Sequence, residues 1–96
     1  MRSRFHPEAR EEFLAAIEFY NDSLPGLGLD FTDEVRVAVE LCERLPSMWP
    51  EIAPGIRRCL LKRFPYAILY SQEAEALFIY AVMHMHRDPD CWRYRI

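Results

Sequence analysis

The chain has 96 residues and a mass of 11.4 kDa, and its 51% hydrophobic and 14% aromatic content excludes intrinsic disorder and fits one small domain over residues 1–96. The longest apolar run, Ala76 to Met83, is too short to cross a bilayer. Met1 leads into a charged stretch rather than an apolar one, so a soluble cytoplasmic protein with no membrane partner is expected. The net charge of −3 divides unevenly: residues 8–51 carry eleven acids against three arginines (−8), residues 52–96 seven bases against four acids (+3), and Arg2 and Arg4 supply the rest. Such a bipolar surface suits an acidic partner or a phosphate backbone on its basic side, and equally suits helices that carry solvating acids.

The elements follow in chain order. Arg2–His6 reads as a short strand. Pro7 suits the first position of a helix, and Ala9, Phe13, Ala16, Ile17 and Tyr20 then repeat at the helical period. Residues 21–28, with Pro25, Gly26 and Gly28, break the pattern. A second helix is expected from an Asp30 N-cap, with Phe31, Val35, Ala38, Val39, Cys42 and Leu45 on its apolar stripe and Pro46 ending it. Residues 7–45 therefore form an αα-hairpin. A proline-punctuated loop without periodicity covers residues 47–55. Three β-like runs follow at Ile56–Arg63, Tyr66–Ser71 and Ala76–Met83, with Gln72–Glu75 of hairpin-loop length. The order β-α-α-β-β-β predicts an α+β fold in which the hairpin packs on one face of a small, mainly antiparallel sheet.

Chemistry-bearing patterns are few. Gly26, Gly28 and Gly55 form no phosphate loop, and neither HExxH nor a nucleophile elbow occurs, so no cofactor is expected. Cys42, Cys59 and Cys91 are an odd number without CxxC spacing, which argues against a disulfide scaffold or zinc knuckle. Glu11/Glu12 and Asp33/Glu34 are expected on solvated helix faces. His84 and His86 share a strand face and, with Arg87, suit proton transfer or phosphate contact. A metal would need a third ligand, and neither Asp88 nor Cys91 stands at a recognisable spacing, so no metal is expected. In the basic run 57–63, alternation puts Arg58 and Lys62 on one face and Arg57 and Arg63 on the other, which is thin for counterion-release binding to nucleic acid.

Several strings in order carry a resemblance: Phe5–Phe13, Ile17–Tyr20, Arg63–Tyr70 and Ala81–Pro89. Together they resemble the ParE/RelE superfamily, toxins of type II toxin–antitoxin operons often called plasmid stabilisation proteins. The resemblance implies a small α+β toxin neutralised by a cognate antitoxin, which lays a helix or tail across the sheet and helix pair and alone connects the toxin to operator DNA. Two targets are implied by its two branches. RelE-like members are ribosome-dependent mRNA endoribonucleases, and Lys62, Arg63, His86 and Arg87 are the candidate catalytic residues for that activity, with His84 or His86 as base. ParE-like members inhibit DNA gyrase through protein contact, and here Arg87, Trp92, Arg93 and Tyr94 are the candidate contacts, being near the end of the chain and of hot-spot type. The ribonuclease branch usually has an arginine after the strand tyrosine, where this chain has Ala67, and losing one such phosphate contact costs about two to three orders of magnitude in rate. That departure and the ending His-x-His-Arg-Asp-Pro-x-x-Trp favour the ParE side. A non-toxic member that only binds antitoxin is the third expectation.

Overall fold

The computed structural model describes residues 2–96. Strand β1 (Arg2–Phe5) leads into helix α1 (Pro7–Ser23), helix α2 (Leu27–Arg44), and then strands β2 (Glu51–Ala53), β3 (Ile56–Leu60), β4 (Tyr66–Glu73) and β5 (Ala76–His84). The sheet order is β1-β5-β4-β3-β2, with β1 parallel to β5 and every other pair antiparallel. The α+β class and the hairpin on one sheet face stand, and the sheet gains a fifth strand. β2 lies in the stretch expected as loop, because three residues between Pro50 and Pro54 are too few to display a period.

Helix α1 starts where Pro7 places it, and His6 caps it by accepting the Glu8 amide on Nδ1 at 3.1 Å. Helix α2 starts four residues earlier than expected, with Gly26 rather than Asp30 as its N-cap. Gly26, at φ 92°, turns the chain sharply enough for Leu27 to open the helix. Gly28 then sits inside the helix, where a Cβ would lie 2.5 Å from the Ile17 carbonyl oxygen and 2.7 Å from the Asn21 side chain. Its amide donates to Asn21 Oδ1 at 2.9 Å, so this glycine marks the close crossing of the two helices.

Two apolar layers sandwich the sheet. On the helix side, Phe31, Val35 and Cys42 meet Cys59, Ile68, Tyr70, Leu77, Ile79 and Val82. Tyr20, Phe31, Phe64 and Tyr66 form an aromatic knot there, with ring centroids 4.8–5.3 Å apart along the chain of contacts. On the outer face, Ile56, Ala67, Leu69, Tyr80, Ala81 and Met83 are covered by Trp92. The β4–β5 hairpin is tighter than expected: both strands run on until Glu73 pairs with Ala76, leaving Ala74 and Glu75 as the turn, with Ala74 at φ 52°.

Candidate functional site

The most unusual local geometry lies along β5. Tyr70 opposes Ile79 while Leu69 opposes Ala81, so Tyr80 is an inserted bulge residue. On the other side, β1 stops pairing at Ile79: the His6 amide bonds the Ile79 carbonyl at 2.8 Å and the chain leaves into α1. From Tyr80 onward this edge of β5 has no strand beside it, and unpaired backbone groups there would be costly to bury.

Side chains take the strand's place. Arg95 Nη1 donates to the Tyr80 carbonyl at 2.9 Å, and the Val82 amide donates to Glu12 Oε1 at 3.1 Å. Arg95 and Glu12 join each other in a fork, Nη1 to Oε1 at 2.8 Å and Nη2 to Oε2 at 2.9 Å. Arg87 Nη1 adds a 2.6 Å bond to Glu12 Oε2, and Arg95 Nε lies 3.1 Å from Glu8 Oε2 as an ion-pair contact. The Arg95 side chain is 2% exposed and that of Glu12 12%. The Glu12 carboxylate raises the Arg95 pKa above its ordinary value despite the opposing effect of burial. Glu12 is thus no solvated acid, and its position (i+3 from buried Ala9, i−4 from buried Ala16) was the available signal.

Glu34 departs from expectation in the same way. Strand β3 ends at Leu60, three residues short of the expected Arg63, and the Lys62 and Arg63 amides both donate to Glu34 Oε2, at 2.8 and 3.0 Å. The alternation expected for Lys62 and Arg63 therefore lapses, since both lie beyond the strand.

Two of the candidate catalytic residues are held by carboxylates on different helices. The Pro65 carbonyl accepts the Met85 amide at 2.8 Å, so the corners holding Arg63 and Arg87 share one end of the sheet. Yet Arg63 turns to Asp30 on α2 at 3.5 Å, and Arg87 turns to Glu12 on α1. His86 is exposed, and its amide donates to His84 Nδ1 at 3.0 Å. His84 also lines a neighbouring cleft of about 320 Å³ with Glu12, Tyr66 and Arg87. Tyr66, in the same cleft, has its phenol pKa raised by burial, with Tyr20 and Glu12 adding to the effect, and does not ionise near neutrality. Among the described residues, no cluster of three or more His, Cys, Asp or Glu stands close enough to hold a metal ion.

The candidate contact residues divide. Trp92 is 1% exposed, packs on the outer sheet face, and donates from Nε1 to the Pro89 carbonyl at 2.6 Å. An indole so buried presents no surface to a partner and belongs to the core. Arg93 and Tyr94 are exposed. Arg93 bonds Asp90 at 2.5 Å and lies over the Trp92 ring at 4.9 Å. Tyr94 and Arg87 line one cleft of about 330 Å³ against Glu8 and Glu11 of α1. The chain closes with a 3₁₀ turn at Arg93–Arg95.

No family model matches the chain, and no curated protein matches it. Among solved structures, it is similar to a chain described as "Chromosomal ParDE TA system from P. aeruginosa", with a TM-score of 0.70 over 90% of this chain and 97% of that one. The fold is shared. At 18% identity the likeness shows the architecture and no more. No helix among the described residues is long and apolar enough to cross a membrane.

Proposed function

We propose that this chain is the toxin of a type II toxin–antitoxin pair, held inactive by a cognate antitoxin and acting on DNA gyrase by protein contact. The observation that carries the reading is the near full-length fold shared with a chain of a ParDE system. It agrees with the strings along the sequence that resemble the ParE/RelE superfamily. A gyrase target is favoured over messenger RNA because two of the four residues a ribonuclease would use are engaged elsewhere. Arg63 and Arg87 are each paired to a carboxylate on a different helix, and Ala67 is fully buried under the outer layer. Phosphate stabilisation needs donors aimed at one point. The exposed contact set is then Arg87, Arg93 and Tyr94, of which Arg and Tyr are hot-spot types.

A groove between α2 and β3 supports docking of an antitoxin there. Val37 and Leu60, 54% and 50% exposed, flank it with Leu41 and Trp49, and Lys62 and Arg63 stand at its rim. A partner helix with an apolar stripe and acidic flank fits that groove, and operator DNA would be reached through the antitoxin alone. Purified chain added to a gyrase supercoiling reaction tests the reading. Inhibition relieved by antitoxin is expected. Normal supercoiling, with cleavage of ribosome-bound messenger instead, transfers the function to the endoribonuclease class. Failure of both leaves only antitoxin binding.

A further inference from the structure

The Glu12–Arg95 fork takes the place of a missing strand at the β5 edge, and this has a consequence for the residues around it. In the segment 92–96 the inward positions are three residues apart, as a 3₁₀ turn places them: Trp92 and Arg95 point inward, at 1% and 7% exposed over the whole residue, while Arg93, Tyr94 and Ile96 point outward. The Arg95 guanidinium also lies 5.6 Å from the Tyr94 ring centroid, and Arg87 is held on the same Glu12 carboxylate. A single acid on α1 thereby fixes both places where exposed contact residues arise, the turn after β5 and the closing segment.

We propose that Glu12 and Arg95 are positioning residues for partner contact: their fork to the free β5 edge holds Arg87, Arg93 and Tyr94 as one preformed surface. This rests on the reading of the chain as a toxin that contacts its target through those residues. Tyr94 has two side-chain torsions and Arg93 more, and ordering them before encounter lowers the entropy lost on binding. Without the fork, the segment keeps Trp92 as its only deep anchor, and Tyr94 loses the cation beneath its ring.

The test pairs amide exchange with growth arrest on induced expression without antitoxin, for the unaltered chain, Arg95→Gln, Tyr94→Ala and the double variant. The amides of Cys91, Arg93, Arg95 and Ile96 donate to the carbonyls of Asp88, Asp90, Trp92 and Arg93, and report release of the closing residues. In Arg95→Gln they are expected to exchange at least about tenfold faster while the β4 amides are unchanged. Growth arrest weakens in Arg95→Gln and in Tyr94→Ala, and the double variant is no weaker than the weaker single one, because both act on one surface. Undiminished arrest in Arg95→Gln despite a released segment overturns the proposal, as does a double variant whose losses multiply. Should Arg95→Gln speed exchange in β4 as well, Arg95→Lys, which keeps the charge without the fork, is judged by the same criteria. An unaltered chain that never arrests growth sinks the toxin reading itself, and the positioning role with it. That failure appears without any variant, whereas failure of positioning alone appears only beside a toxic unaltered chain.

Discussion

Glu12 and Arg95 stand 83 residues apart in sequence and meet in a two-pronged contact at 2.8 and 2.9 Å, each also bonded to the backbone of β5. The pair ties the closing segment to the first helix. Removing Glu12 strands a guanidinium that is almost wholly buried, and breaking such a pair from one side costs about 3–5 kcal/mol. Glu12→Ala is therefore expected to lose that much in urea unfolding. Arg95→Gln should lose less, since Glu12 keeps Arg87. A loss below about 1 kcal/mol for Glu12→Ala would place the pair among ordinary surface contacts.

Gly28 is the second sensitive point. A methyl group there meets the Ile17 carbonyl and Asn21 within the helix crossing, and only a shift of α2 makes room. Gly28→Ala should destabilise by about 1–3 kcal/mol, although alanine is the better helix former. A stabilised Gly28→Ala in thermal melting would show that the helices cross less closely than described.

Much of this architecture is legible in the residues, and the exceptions have physical causes. The stripes Ala9–Tyr20 and Phe31–Cys42 announce two helices because each buries one face at the helical period. Gly28 reads as a loop residue by composition, and nothing local reveals that its missing side chain is a contact between helices. β2 is too short for any pattern. Trp92 has the composition of an interface anchor and the environment of a core residue, a distinction that depends on the chain folding back over the outer sheet face. Glu12 sits on the margin of a helical stripe, which hints at burial, but its partner lies at the other end of the chain. The fold was readable from periodicity, whereas the site depends on long-range pairing.

Three tyrosines with raised pKa values are expected to weaken the fold at alkaline pH. Burial raises the pKa of Tyr70 well above its ordinary value, with Cys42 beside it adding to the effect, and its hydroxyl donates to the Pro46 carbonyl at 2.8 Å. Tyr20 and Tyr66 are raised by burial too. A group whose folded pKa is raised contributes fully below its unfolded value, about 10 for tyrosine, and that contribution is lost as pH rises toward the folded value. Unfolding free energy should begin to fall at about pH 10 and keep falling as pH rises further. Tyr70→Phe should reduce that fall while costing about 1 kcal/mol near neutrality for the lost hydrogen bond. An identical fall in Tyr70→Phe would assign the transition to other groups.

The α2–β3 groove makes a separate prediction about the partner. Leu60→Asp places a charge on an exposed apolar wall with little expected effect on folding, within about 0.5 kcal/mol for a surface change. Neutralisation by antitoxin should weaken by at least about tenfold, because a buried unpaired charge is costly at an interface. Unchanged neutralisation, measured by titrating antitoxin against the variant, would move the antitoxin to another face.

The gyrase target is tested by following thymidine and amino-acid incorporation together in a bacterial culture after induced expression without antitoxin. A gyrase toxin stops thymidine incorporation first while translation continues for the opening minutes, and that order is the predicted result. Amino-acid incorporation failing first would contradict the account, and would return Lys62, Arg63, His86 and Arg87 to consideration as an active site completed only on the ribosome.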